Sequence, residues 1–457
     1  MGEYRTERDS IGEIEVPVEA SWGAQTQRSL QNFPIGSEKM PEELMRALVH
    51  VKRAASVQNA IEGKLSNEKM TLITSVCDEL LSSDDIMSFF PLKVWQTGSG
   101  TQTNMNVNEV IANTGNKKTG EKTLHPNDDI NMSQSSNDVF PTAMNMAARR
   151  MVIEKLLPEM EMWLSTLKVL EERYAKQVKI GRTHLQDATP LTFGQEISGW
   201  HAMIEKNYTM LQHVVEELAY LPIGGTAVGT GLNASSTFSE GAVKAINEAF
   251  FPGFKEHPNK FYGLTSHSDM TAVHGVLTSL AGDLMKVGND IRWLASGPRC
   301  GFGEITIPSN EPGSSIMPGK INPTQVEALT MVVAQIMGNQ TTIQFAASQG
   351  NFELNVFKPV IMLNFVQSVN LLAEGMASFR ERCLVGIEVN EKRMTGLLDD
   401  SLMLVTALNP HIGYDNSAKV AKYAFANDLT LIEAAVELTE YTEEQLIEIL
   451  DPNKMLD

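Results

Sequence analysis

Apolar side chains recur at alternating three- and four-residue steps over long stretches of the chain. One such seam runs from Leu156 to Tyr174 and a second from Met362 to Cys383, and each lines one face of a helix. The segment from Gln325 to Ser348 is apolar on nearly all faces, which is typical of a helix surrounded by others, including helices of another subunit. The pattern therefore predicts long bundle helices in a homo-oligomer.

The hydrophobic pattern contains neither a ladder of short alternating strands nor the strand–helix alternation of a parallel sheet, so the predicted fold class is mainly α. The Gly-, Lys- and Asn-rich segment from Asn113 to Asp129 reads as a loop that ends an N-terminal domain. The pattern becomes charged and polar again between Val389 and Asp400. We predict an N-terminal mostly helical domain (1–132), a central helical bundle (133–391) and a small C-terminal helical domain (392–457).

The composition argues against nucleic-acid binding and against a membrane span. The 457 residues include 37 Lys+Arg and 56 Asp+Glu, which gives a formal net charge of −19. Because phosphate neutralisation needs clustered basic residues and no dense basic stretch occurs, nucleic acid is not an expected partner. The most apolar stretch, Leu329 to Met337, is short and contains Gln335, so no membrane span is expected.

The N-terminus bears on the compartment of the protein, and the cysteines bear on disulfides and metal binding. Acidic residues as early as Glu3 do not suit a signal or transit peptide, so a cytoplasmic location is expected. Cys77, Cys300 and Cys383 are far apart and odd in number, which fits neither a disulfide scaffold nor a cysteine-bound metal site.

Five polar stretches punctuated by glycine or proline interrupt the helical pattern. The first, Thr97 to Asn104, carries small hydroxyl and amide side chains that can donate to a carboxylate or phosphate, although this stretch taken alone favours a helix N-cap turn. The second runs from His125 to Asp138. Its Ser135, Ser136 and Asn137 can donate to an anion at a helix start, or simply form a capped loop.

The third stretch, Gly181 to Ala188, is expected to link two helical segments. It contains His184, which can transfer protons if a carboxylate orients it, although a lone histidine is more often structural. The fourth, Gly224 to Gly231, lacks the glycine spacing and the strand context of a dinucleotide-binding loop, so a tight connection is expected.

The fifth stretch, Gly313 to Pro323, is not a Walker A loop, because five residues separate Gly313 from Gly319 and Ile321 stands at the hydroxyl position. Lys320 and Asn322 can clamp one carboxylate, and a serine on a mobile loop can approach it. A plain turn remains the alternative.

The segment from Gly313 to Asn322 resembles the signature of the fumarase/aspartase superfamily, and the resemblance extends over nearly the whole chain. Within that superfamily, Thr183-His184-Leu185-Gln186-Asp187 resembles the class II, iron-independent fumarate hydratases, whereas aspartate ammonia-lyases typically carry Gln at the position of His184. Asn145 departs from the family, which often has His there.

The resemblance implies a fold and an activity. It implies three mostly helical domains with a central five-helix bundle, four subunits sharing a twenty-helix core, and active sites each drawn from three chains. It implies reversible hydration of fumarate to L-malate in the tricarboxylic acid cycle through an aci-carboxylate carbanion, without a cofactor or metal. An aspartate ammonia-lyase and a catalytically silent scaffold protein are the alternatives.

The resemblance also assigns roles by position. Ser314 matches the residue that removes the C3 proton, His184 the residue on the water side, and Glu327 the carboxylate that pairs with that histidine. His125, Asn127 and Asp128 match a second anion site. The positions that match substrate-binding residues are Ser99, Thr101, Ser135, Ser136, Asn137, Thr183, Ser315, Lys320 and Asn322.

Overall fold

The computed structural model describes residues 3–456, which form 17 α-helices and eight short strands. The helices are α1 Ala24–Asn32, α2 Glu42–Ile61, α3 Asn67–Ser82, α4 Thr101–Thr119, α5 Ser136–Met151, α6 Leu157–Arg173, α7 Phe193–Val214, α8 Phe238–Ala249, α9 Lys260–Thr265, α10 Ser268–Leu294, α11 Thr324–Ala347, α12 Lys358–Arg382, α13 Glu391–Asp399, α14 Asn409–Ile412, α15 Tyr414–Asn427, α16 Leu431–Leu438 and α17 Glu443–Ile449. The mainly α class is confirmed.

The strands form four two-stranded sheets, of which β5–β6 is parallel and the other three are antiparallel. They are β1 Tyr4–Arg8 with β2 Glu13–Pro17, β3 Val178–Thr183 with β4 Gln186–Thr192, β5 Tyr220–Leu221 with β6 Lys255–Glu256, and β7 Ile305–Thr306 with β8 Glu388–Val389. These pairs are too short to make a sheet core, so the core consists of packed helices.

The two apolar seams lie on α6 and α12, as predicted. Pro158 is the second residue of α6, and a π-helical turn over Val152–Leu156 joins α6 to α5 without a break, so this proline follows directly on an irregular turn inside a continuous helix. The seam of α12 is buried along its whole length, from Met362 to Cys383. α11 is different, since it leaves Met331 and Phe345 more than half exposed.

The predicted loop from Asn113 to Asp129 is wrong over much of its length. α4 continues to Thr119, Gly120 ends it in the left-handed region, and a π-helical turn occupies Pro126–Ile130. The Asn116 side chain exchanges two hydrogen bonds with the backbone of Leu124. Asparagine is read as loop-forming because it competes for backbone bonds, but here tertiary contacts use that capacity.

Helix α12 and its extension over Lys358–Gly386 have a mean hydropathy of 1.3 in their most apolar 18-residue window, so this segment meets the length and composition test for a membrane span. The apolar stretch expected from the sequence, Leu329 to Met337, lies in α11 instead. Since α12 buries its seam inside the protein, the same composition suits a core helix.

The chain divides into two compact units. The first comprises residues 1–158, 208–279 and 334–373, and in it α2 packs against α3, α5 and α8. The second comprises residues 159–207, 280–333 and 374–457. In the second, the β3–β4 hairpin packs against α13, and Ile180 joins a buried C-terminal cluster that includes Leu398, Leu408 and Leu446. The boundaries of the three predicted domains stay a prediction.

Candidate functional site

The first polar stretch forms the turn that leads into α4. Gly100 adopts a left-handed conformation with φ +83° at the N-cap, where an added Cβ would lie 2.2 Å from the ring of Phe140. This turn brings the Ser99 and Thr101 hydroxyl oxygens to 2.8 Å from each other. Two predicted substrate-binding residues are therefore side by side, and the helix-cap interpretation holds as well.

The second stretch places Ser135 at the N-cap of α5. Its hydroxyl accepts the Asn137 N–H, while the Asp138 carboxylate accepts the Ser135 N–H at 2.8 Å. The other Asp138 oxygen accepts the N–H groups of Gly224 and Thr226, each at 2.9 Å. Burial raises the pKa of Asp138, and these three N–H groups oppose the rise. Asp138 thus ties the fourth stretch to the second.

Protein groups use both side-chain N–H groups of Asn137 and one acceptor position of its amide oxygen. Its amide nitrogen donates to the carbonyl oxygens of Ala227 at 2.9 Å and Glu353 at 2.7 Å, and its amide oxygen accepts from the Lys358 ammonium at 2.8 Å. An amide nitrogen has two N–H groups, so both are in use. A contact between this side chain and substrate would have to replace one of these bonds.

The predicted second anion site forms the exposed π-helical turn. The N–H groups of Asn127 and Asp128 donate to the His125 Nδ1 atom at 3.3 and 3.1 Å, so the histidine ring itself caps the turn. The Asp128 carboxylate is 3.2 Å from the same ring nitrogen. The three residues lie together, and anion binding by them stays a prediction.

The third stretch is the tip of the β3–β4 hairpin rather than a link between helices. Thr183 pairs with Gln186, and the two residues between them, His184 and Leu185, both have positive φ, at 57° and 59°. This is the two-residue turn that matches strand twist, here built without glycine, and such conformations occur more often at functional sites. His184 and Leu185 are both exposed at the tip.

An ion pair that the sequence analysis missed holds this hairpin. The Arg182 guanidinium lies 2.6 Å from the carboxylate of Glu304, which is fully buried, and over the Phe302 ring at 4.3 Å from its centroid. Because the carboxylate of this ion pair is buried away from water, the pair orients the strand that ends at Thr183, directly before His184. A sequence signal was absent, because Arg182 and Glu304 are far apart along the chain.

The fifth stretch is a loop closed at its base. The Gly313 N–H donates to the Lys320 carbonyl at 3.0 Å, and the Asn322 amide donates to the Gly313 carbonyl at 2.6 Å. A Cβ on Gly313 would lie 2.3 Å from the Lys320 oxygen, so this close approach requires glycine. Ser315 and Lys320 are exposed on the loop.

The Ser314 hydroxyl sits inside this loop. Its oxygen accepts the backbone N–H groups of Ile316 at 3.2 Å and Met317 at 3.1 Å. Two amide donors aimed at one oxygen favour negative charge on it. The loop geometry therefore suits a serine oxygen that loses its proton.

Glu327 lies in the first turn of α11 and is exposed. Across residues 3–456, no hydrogen bond or ion pair joins it to His184 within the chain. Their pairing stays a prediction. The same range contains no group of three or more His, Cys, Asp and Glu residues that could hold a metal ion.

Two buried lysines in the first unit were also missed. Lys52 donates to the side chains of Asn131 at 3.1 Å and Gln134 at 2.9 Å, and Lys358 donates to Asn137. A sequence signal existed for Lys358, because a lysine followed by proline at the start of a strongly apolar helix is unusual.

Most of the chain matches known protein families and relatives. Residues 12–338 match the family described as Lyase, and residues 404–457 match the family described as Fumarase C C-terminus. The fumarate hydratases class II of Oceanobacillus iheyensis and Bacillus subtilis are 59% and 57% identical, each over 99% of both chains. The crystal structure of a recombinant class II fumarase from Schistosoma mansoni is 40% identical over 99% of both chains and superposes with a TM-score of 0.94.

Proposed function

Because this chain belongs to the class II fumarate hydratase family, we propose that it catalyses the reversible hydration of fumarate to L-malate. The observation that carries the proposal is the 59% identity to a class II fumarate hydratase over 99% of both chains. The reaction is the anti addition or elimination of water across one carbon–carbon bond of a dicarboxylate.

In the dehydration direction, Ser314 removes a proton from C3 of L-malate. A serine hydroxyl is a poor base at its ordinary pKa, so it must be stabilised as the anion. The bonds from the Ile316 and Met317 N–H groups supply that stabilisation inside the loop. The electron pair left on C3 moves into the neighbouring carboxylate and forms the aci-carboxylate.

Lys320 and Asn322 bind that carboxylate. A cation and an amide donor placed there stabilise the extra charge of the aci-carboxylate more than the charge of malate, which lowers the barrier. One N–H of Asn322 is committed to the Gly313 carbonyl, which fixes the orientation of its amide group. The exposed Lys320 side chain is free to follow the loop when it closes over substrate.

His184 protonates the leaving hydroxyl group, so that it departs from C2 as water, and in hydration it takes a proton from the attacking water. Glu327 orients the histidine ring. Because His184 and Glu327 are both exposed in one chain, their pairing belongs to an assembly in which α11 of one subunit meets the hairpin of another.

The remaining predicted contacts hold the two carboxylates of the substrate. The hydroxyl pair of Ser99 and Thr101 and the start of α5 at Ser135 offer neutral donors, and a helix N-terminus favours negative charge. The Ser136 hydroxyl oxygen already accepts from the Asn104 amide at 2.9 Å, which leaves its O–H free to donate to a carboxylate. Thr183 and Ser315 are two further residues that we expect to bind the substrate.

We also propose that four copies assemble around α11 and that the enzyme is cytoplasmic. Met331 is 69% exposed, Phe345 61% and Phe352 94%, which leaves large apolar side chains uncovered on a single chain. Assembly would bury them. The mass in solution tests this directly, since a monomer at micromolar concentration would contradict the tetramer.

The test of function is the ultraviolet absorbance of the conjugated double bond of fumarate. Purified, chelator-treated protein is mixed with L-malate in one cuvette and L-aspartate in another. We expect absorbance to rise with malate alone. A rise with aspartate alone would identify an ammonia-lyase, and no change with either would favour the silent scaffold; either result would overturn the proposal.

A further inference from the structure

Lys358 is a fully buried lysine at the first position of α12. Its neighbours in the chain are Phe357 and Pro359, and the helix that follows, with its extension to Gly386, has a mean hydropathy of 1.3 in its most apolar 18-residue window. Burying a lysine is costly unless its ammonium is hydrogen-bonded, so such a residue needs a reason in the surrounding structure.

The contacts of Lys358 connect three of the five polar stretches. Its ammonium donates to the Asn137 amide oxygen in the second stretch, and its backbone N–H donates to the Gly98 carbonyl in the first at 3.2 Å. Asn137 in turn donates to Ala227 in the fourth stretch. The backbones of Gly98 and Val356 touch so closely that a Cβ on Gly98 would lie 1.5 Å from the Val356 oxygen.

The Lys358 ammonium has no carboxylate partner at ion-pair distance among residues 3–456. The charge of Asp138 acts on Lys358, but this carboxylate uses its oxygens on backbone N–H groups. Burial lowers the pKa of Lys358 to about 7, and the Asp138 carboxylate opposes that fall. A dianion bound at the loops that Lys358 joins would add the negative charge that the buried ammonium lacks.

We propose that Lys358 is a positioning residue for the hydration reaction and acts through Asn137. Its ammonium fixes the Asn137 amide, and this amide holds the start of α5 against the fourth stretch, while the Lys358 backbone N–H ties the same residue to the first stretch. The hydroxyl groups of the first stretch and the start of α5 contribute to binding the substrate carboxylates. The inference rests on the proposed function only for the identity of the ligand class, a four-carbon dicarboxylate.

The experiment is a double-mutant cycle on ligand affinity. Lys358→Met, Asn137→Ala and the double variant are compared with wild type for the Kd of succinate, the saturated four-carbon dicarboxylate, by titration calorimetry. Losing a charge-assisted hydrogen bond should weaken binding about tenfold in Lys358→Met. Because Lys358 acts through Asn137, the double variant should bind no more than about twofold more weakly than Asn137→Ala alone.

Kinetics separate positioning from general destabilisation. In Lys358→Met we expect KM for L-malate to rise about tenfold while kcat changes less than about threefold, since the lost interaction is uniform between ground and transition state. Should this variant lose its helical circular dichroism, Lys358→Leu, which likewise lacks a donor, carries the same cycle.

Lys52 supplies the matched control. It is equally buried and also feels the charge of Asp138, but it bonds Asn131 and Gln134 instead of Asn137. We expect Lys52→Met to weaken succinate binding less than about threefold. An equal loss in both variants, an additive cycle, or unchanged affinity in Lys358→Met would each overturn the inference. A wild-type protein that binds succinate but does not convert malate would contradict the proposed function instead.

Discussion

Replacing Gly98 with alanine adds one methyl group where two segments of the first unit are in direct backbone contact. The added Cβ would lie 1.5 Å from the Val356 carbonyl oxygen. Since relaxed non-bonded contacts to carbon lie near 3.5 Å, the two segments must separate by about 2 Å. That movement breaks the bond from the Lys358 N–H to the Gly98 carbonyl and displaces the neighbouring Ser99 and Thr101.

A displacement of about 1 Å in a catalytic site can cost about 100-fold in rate, so we expect kcat/KM for L-malate to fall at least about 100-fold in Gly98→Ala. The assay follows fumarate absorbance, with circular dichroism and solution mass on the same samples. The fold should persist, because the clash is confined to a single contact between two loop segments.

Gly396 in α13 is the matched control, because a Cβ there would have no atom within 4 Å. Gly396→Ala should leave activity unchanged and raise stability, since alanine is favoured over glycine in a helix by about 0.8–1.0 kcal/mol. A correctly folded Gly98→Ala variant with activity within about threefold of wild type would refute the reasoning about this contact.

Three further predictions concern single side chains. His184→Asn should lower turnover about 100-fold or more with folding and assembly intact, and near-native turnover in the assembled variant would contradict the water-side role. Lys320→Ala should raise the inhibition constants of competitive dicarboxylates, and unchanged constants would exclude the clamp. Burial raises the pKa of Asp269 from 3.8 to about 6, despite the hydrogen bond that Asn145 donates to its carboxylate. The folded state therefore binds this proton more tightly than the unfolded state does. As a result, the contribution of Asp269 to stability falls as the pH rises from about 4 to 6. In denaturant titrations at pH 4 and 7, Asp269→Asn should therefore gain stability relative to wild type at the higher pH, and a constant difference between the two proteins would contradict that pKa.

The sequence by itself determined the helical fold and the family. The seams of α6 and α12 were predicted residue by residue, because a helix must turn one stripe of apolar side chains inward and that stripe has a fixed period. The family expectation, drawn from the Gly313 to Asn322 signature, is confirmed by relatives that match the full length of the chain. Short motifs carry such information because each residue type in them is needed for one chemical task.

Only the tertiary structure decided how the polar stretches are held. From the sequence, the Asn137 side chain was expected to donate to an anion. In the structure, both of its N–H groups donate to backbone carbonyls, and the Lys358 ammonium donates to its oxygen. The sequence showed the segment around His184 as a link between helices, whereas that residue sits on a hairpin tip anchored by Arg182 and Glu304. Hydrogen bonds and ion pairs between residues far apart in the chain leave no periodic trace in the sequence, so their partners are set only when the helices have packed.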